Sequence, residues 1–166
     1  MITLRPANER DIPLLKFWDQ QPHVIASDPE EWDWEEDFRI SDPAVQKFIA
    51  VGKGQDIGFL QIMDPRLERT HYWGEIGTGF MAIDIWIGEE GNLNKGYGTR
   101  MMSITIAKCF EDEQVHTILI DPLKSNTAAH RFYRRLGFHF VEERIFNEEE
   151  VCFVFKLNRH QWLNTQ

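Results

Sequence analysis

A glycine-flanked turn, a solitary strand carboxylate and an acidic stretch bearing two tryptophans carry the chemistry that this sequence offers. In NLNKGYGTRMMSITIAKCF, residues 92–110, Gly96 and Gly98 stand between an apolar run and a segment with rough helical periodicity. Strand, glycine turn, helix is the arrangement that turns unpaired backbone N–H groups and the positive end of a helix toward an anion, most often a phosphate. Counting excludes two common phosphate motifs: no Gly-Lys-Ser/Thr occurs, and Met101 occupies the third glycine position of G-x-G-x-x-G. Asp84 is the only charged residue between Phe80 and Ile87, and strand alternation puts it on one face with Phe80, Ala82 and Trp86. An ionised carboxylate there requires a solvated cleft, a charged partner or hydrogen bonds to backbone; in a cleft its pKa is open to tuning. In DPEEWDWEED, residues 28–37, seven of ten residues are acidic and none is basic. A solvated acidic helix or loop accounts for such a run. Trp32 and Trp34 beside those carboxylates also suit a polycation.

Local patterns place these residues on an alternation of strands and helices. ITLRP reads as a strand, and Asn8 caps a helix over ERDIPLLKFWDQ with Pro13 in its first turns. A second helix is expected over Glu30 to Ile40. VQKFIAVG, the turn KGQD and IGFLQIMD form a hairpin, and TGFMAIDIWIG is the strand that carries Asp84. A helix follows from Tyr97 to Glu111, then the strand VHTILID, the helix NTAAHRFYRRLG stopped by Gly137, and the antiparallel pair FHFVEERIF and EVCFVFKL. The expected architecture is one α/β or α+β domain over residues 1–166, a sheet covered by helices. No apolar run approaches the roughly 18 residues of a membrane span, and the N-terminus lacks a signal-peptide core, which points to a cytoplasmic protein. Cys109 and Cys152 lie far apart, and the six histidines show no ligand spacing, so neither a disulfide framework nor a metal site is expected. A net charge of -9 argues against nucleic acid as the principal ligand and favours a small cation.

A further stretch, IDPLKSNTAAHRFYRRLGF, residues 120–138, completes a pattern. Leu93 to Gly98 resembles the pyrophosphate loop of the Gcn5-related N-acetyltransferase (GNAT) superfamily, with Leu93 in place of its usual Arg or Gln, and Asn126, Ala129, Tyr133, Gly137 and Phe138 match its second signature. Within the superfamily the chain is similar to the aminoglycoside 6'-N-acetyltransferases, in which an Asp precedes by eleven positions the Lys of a K-G-x-G-T loop, as Asp84 precedes Lys95. Asp121, Pro122, Ser125, Asn126 and Tyr133 continue that match, and the similarity covers roughly Trp73 to Val141.

The resemblance implies a mixed, mainly antiparallel sheet flanked by helices on both faces, acetyl-CoA as cofactor, and a small cationic amine as acceptor for a monomer or homodimer. It implies that Asp84 holds the cationic substrate and accepts the amine proton, directly or through water, and that Tyr133 donates to the coenzyme A sulfur. Cofactor contacts are implied for Ile85, Trp86, Ile87, Asn94, Lys95, Gly96, Tyr97, Gly98, Thr99, Asn126 and Ala129. Substrate contacts are implied for Trp32, Trp34, Glu75, Asp84 and Asp121. Three functions are consistent with these residues: acetyl transfer to an aminoglycoside, the same chemistry on a polyamine, protein amine or siderophore hydroxylamine, and a noncatalytic acyl-CoA-binding module. Asp84 together with Tyr133 argues against the third, because a binder needs neither a buried acid nor a positioned phenol.

Overall fold

The computed structural model describes residues 1–166. Seven strands form one sheet: β1 (Ile2–Pro6), β2 (Val45–Gly52), β3 (Gln55–Met63), β4 (Phe80–Ile87), β5 (Thr117–Ile120), β6 (His139–Phe146) and β7 (Glu150–Asn158). Six helices accompany it: α1 (Ile12–Asp19), α2 (Pro22–Ser27), α3 (Trp34–Arg39), α4 (Tyr97–Phe110), α5 (Thr127–Arg135) and α6 (Arg159–Asn164). The sheet order is β1-β2-β3-β4-β5-β7-β6, antiparallel throughout except at β4–β5. No helix is long and apolar enough to cross a membrane.

The parallel pair is what opens the molecule. β4 and β5 pair only from Phe80, Met81 and Ala82 to Thr117, Ile118 and Leu119. Beyond Ala82, β4 runs on to Ile87 bonded to β3 alone, so the sheet splits down its middle. The two faces are closed by different cores. On one, Met101, Met102 and Ile106 of α4 and Tyr133 of α5 pack on Leu60, Ile83 and Phe155 of the sheet. On the other, Leu15 and Trp18 of α1, Val24 of α2 and Trp34 of α3 pack on Ile49, Phe59 and Trp86. The helices therefore flank both faces, as the resemblance implies.

Several element boundaries depart from the expected ones for local reasons. The first helix is divided: Asn8 and Asp11 form a capping box over a 3-10 turn at Glu9–Asp11, and Arg5 grips the Asp11 carboxylate at 2.8 and 3.0 Å before α1 begins. The helix expected over Glu30 to Ile40 keeps only its second half, because the Asp28 carboxylate takes the Trp32 indole N–H at 2.9 Å and holds 28–33 in an irregular turn. Asp33 then accepts the Glu36 N–H at 3.0 Å and starts α3. The hairpin turn is the pair Lys53-Gly54, both at positive φ (51° and 75°), which is the twist that two-residue hairpins require. Helices α2 and α6 escape periodicity, since six residues each give too few turns for a pattern.

Candidate active site

The sheet split and the surfaces beside it form one cavity of about 900 Å³, which runs from the α1–α3 face through the gap to α4 and α5. At its rim on the α4 side lies an anion cradle. Asn94 (φ 60°) and Gly96 (φ 80°) turn the chain through left-handed conformations into α4. From Asn94 to Thr99 no backbone N–H finds an acceptor in the chain, and the first helical bond runs from the Arg100 N–H to the Gly96 carbonyl at 3.2 Å. Successive free amides at a helix start are the donors that a pyrophosphate takes. Gly98 lies against the cavity, where a Cβ would stand 3.6 Å from the Phe132 ring and 3.8 Å from Ile87 Cδ1.

The edge of β4 continues the cradle. The Gly88 N–H donates to the Ile57 carbonyl at 2.9 Å, and Gly58 pairs with Ile87, so Trp86, Asp84 and Ala82 turn their peptide groups to β3. Ile83, Ile85 and Ile87 consequently face the gap. His23 of α2 closes the far end through a 2.8 Å bond between Nε2 and the Ile87 carbonyl. The Ile83 carbonyl and the peptide group of Ile85 remain along the split, suited to the amides of a pantetheine arm. At the start of α5, Asn126 Oδ1 caps the helix by accepting the Ala129 N–H at 3.2 Å, leaving its Nδ2 free beside the cavity.

Asp84 stands on the other side of the split. Gln61 Nε2 donates to its Oδ2 at 2.7 Å. Burial raises the carboxyl from its usual range to about 6, the charges of Asp28 and Glu30 add to that, and Gln61 and Lys47 oppose it. At neutral pH it is a carboxylate of unusual basicity. Asp121, just past β5, receives the Tyr72 hydroxyl at 2.5 Å, and burial followed by the charge of Asp84 holds it well above the ordinary carboxylate range. Tyr133 is 9% exposed and lines the cavity, and its hydroxyl makes no hydrogen bond within the chain. Burial, then Asp84 and Asp121, push its phenol upward, so it stays an O–H donor.

Asp84, Tyr133, Asp121, Ile85, Trp86, Ile87, Asn94, Gly98, Asn126, Ala129 and Trp32 thus share one cavity. The remaining expected residues stand elsewhere. Trp34 is fully buried in the core, stacked on Trp32 with centroids 4.6 Å apart, its indole N–H on Asp19 at 2.5 Å; only Trp32 reaches the cavity. Trp86 offers an indole wall, because its peptide group belongs to β3. Glu75 is exposed on the loop before β4 and outside the cavity. Lys95, Gly96 and Thr99 lie exposed outside the cavity lining, and the Tyr97 ring packs in the α4 core, while the backbone N–H groups of all four are free.

Lys47, Gln61, Tyr72 and Phe132 also line the cavity, although no sequence motif points to them. The lone polar residue in the apolar run of β3 is the available signal for Gln61. Arg131 and Arg135 also reach the cavity, whereas Arg134 lies 5.3 Å over the Phe155 ring.

The chain matches the acetyltransferase (GNAT) domain family over residues 7–146. It is 28% identical over 152 residues to an aminoglycoside N(6')-acetyltransferase type 1 from Klebsiella pneumoniae, covering 82% of this chain and 73% of that protein. A kanamycin resistance protein from Rhizobium radiobacter is 36% identical over 73 residues, 43% of this chain and 68% of that protein. The fold superposes on a crystal structure of the aminoglycoside acetyltransferase AAC(6')-Ib in complex with coenzyme A and kanamycin, with a TM-score of 0.89, 24% identity and 99% of each chain covered.

Proposed function

The chain belongs to the GNAT acetyltransferase domain family and is an acetyl-CoA-dependent N-acetyltransferase; from that premise we propose that its acceptor is the 6'-amine of an aminoglycoside. The observation that carries the proposal is the meeting, in one cavity, of a carboxylate-lined face bearing Asp84 and Asp121 with the free amides of Asn94 to Thr99 on the opposite side of a split sheet. The relative from Klebsiella pneumoniae supports the choice of acceptor.

Acetyl-CoA supplies the activated acetyl thioester. The amides of Asn94 to Thr99 would hold its pyrophosphate, the β4 edge at the Ile83 carbonyl and Ile85 would align its pantetheine arm, and Asn126 Nδ2 would donate to that arm. On the acceptor side, Asp121, Glu30 and Glu31 offset the remaining ammonium groups, and Trp32 forms a wall. Asp84 takes the proton from the reacting ammonium, directly or through one water, and leaves a neutral amine with a lone pair. Tyr133 would donate its hydroxyl hydrogen to the coenzyme A sulfur as the C–S bond breaks and the amine nitrogen forms its bond to the acetyl carbon, the proton shed by that nitrogen balancing the one the thiolate gains. Its protonated state at neutral pH follows from burial between two carboxylates.

Acetylation of kanamycin, followed by mass spectrometry and NMR of the product, tests the acceptor. One acetyl group on the 6'-amine is expected. If kanamycin and its relatives stay unmodified while a polyamine or peptide amine is acetylated, the acceptor is wrong and the family chemistry stands.

A further inference from the structure

Lys47, Gln61 and Asp84 form a single row across three strands. In the antiparallel register Lys47 of β2 pairs with Gln61 of β3, and Gln61 pairs with Asp84 of β4. Directly opposed residues share a face, so an ammonium, an amide and a carboxylate lie side by side on the cavity floor. The row reads positive, dipolar, negative. Gln61 is 5% exposed and has its Nε2 on Asp84, which leaves its carbonyl oxygen for the Lys47 side.

The Lys47 side chain is held by neither a close ion pair nor a hydrogen bond. No carboxylate stands within ion-pair distance of its Nζ, which makes no hydrogen bond and lies 5.9 Å over the Phe38 ring. Of the four Lys and Arg residues that line the cavity, Arg131 and Arg135 come from α5 on the opposite face, and Arg69 pairs with Asp37 at 3.5 Å. The groups that act on Asp84 from the other elements are acidic or neutral, Asp28 and Glu30 from 28–33, Asp121 with Tyr72 beyond β5, and Tyr133 from α5, while Glu150 and Cys152 of β7 line the same cavity. Asp37 and Asp42 also act on the Lys47 ammonium, and more strongly than Asp84 does.

We propose that Lys47 is a positioning residue for acetyl transfer, acting through space across the row to keep Asp84 a carboxylate in a cleft otherwise crowded with negative charge. The proposal rests on the reading of Asp84 as the proton acceptor. Two strand spacings put roughly 10 Å between Lys47 and Asp84. At that range a partly screened cation favours the carboxylate by about half a pH unit. Gln61, in direct contact, favours it by about one unit.

The test reads the Asp84 carboxyl by 13C NMR titration, assigned with Asp84→Asn, alongside the pH profile of kcat/KM in wild type, Lys47→Met, Lys47→Arg and Gln61→Leu. Both the NMR midpoint and the acidic limb are expected to rise by about half a unit in Lys47→Met, by about one unit in Gln61→Leu, and to return to wild type in Lys47→Arg. A lower melting temperature or an altered acceptor KM in Lys47→Met, with the midpoint unmoved, overturns the proposal and leaves Lys47 as a packing or charge-repelling residue. A midpoint that moves while the acidic limb stays put upholds the row and instead removes Asp84 from the proton-accepting role.

Discussion

Asp84→Asn is expected to abolish acetyl transfer and at the same time to stabilise the protein. In the folded chain burial holds the Asp84 carboxyl at about 6, against a reference of 3.8. The folded state therefore binds this proton more tightly than the unfolded chain does. Below about pH 4 both states hold it and the group is neutral in the balance; as the pH rises toward 6 the unfolded chain releases its proton first, and stability falls until both forms are ionised. A difference of about two units is worth about 3 kcal/mol above pH 7, which is an upper bound because Asp121 shares the same cleft. A gain on the order of 1–3 kcal/mol is expected in the variant, since the substituted side chain carries no charge while its amide oxygen still accepts from Gln61. For a chain of this length each kcal/mol moves Tm by roughly 2–4 °C. Calorimetry at pH 4, 5 and 8 should show Asp84→Asn melting several degrees above wild type at pH 8, less at pH 5, and close to wild type at pH 4, with kcat reduced by at least about 100-fold. A variant no more stable than wild type at pH 8, or one with an equal gain at pH 4, would refute the claim that the Asp84 carboxylate is held against its own desolvation.

Tyr133→Phe keeps the ring in its core and loses only its unpartnered hydroxyl, so kcat should fall by roughly 100-fold while the rise in Tm produced by coenzyme A is retained; equal turnover would remove Tyr133 from the chemistry. Gly98→Val places branched methyls between Phe132 and Ile87, and the coenzyme A-induced rise in Tm should shrink while the unliganded Tm changes little. The two tryptophans of the acidic stretch should separate: Trp34→Ala costs about 3–5 kcal/mol of stability in urea unfolding, whereas Trp32→Ala chiefly raises the acceptor KM. The opposite ranking would overturn their placement.

Much of the site was legible because its determinants are short-range. A pair of glycines before an amphipathic run specifies a turn and a helix start, and free amides follow from helix geometry whatever surrounds it. Asp84 was conspicuous because period-two alternation makes one carboxylate in an apolar strand anomalous, and the structure puts it on the expected face with Phe80, Ala82 and Trp86. The motif spacing that relates Asp84, Lys95, Asn126 and Tyr133 was likewise a linear property of the chain.

Three-dimensional packing decided the rest. Trp32 and Trp34 are two residues apart in the same acidic run, yet one faces the cavity and the other fills the core, because an irregular turn held by Asp28 ends between them and α3 begins. The split between β4 and β5 has no local signature, since the two strands are about 30 positions apart and pair only from Phe80 to Ala82. Lys47, Gln61 and Asp84 are separated by 14 and 23 positions, and only the register of two antiparallel ladders brings them into one row. Residue types and turns were written in the chain because backbone sterics and helix capping act over a few residues; which carboxylate is desolvated, and by what, was decided by contacts between segments far apart in sequence.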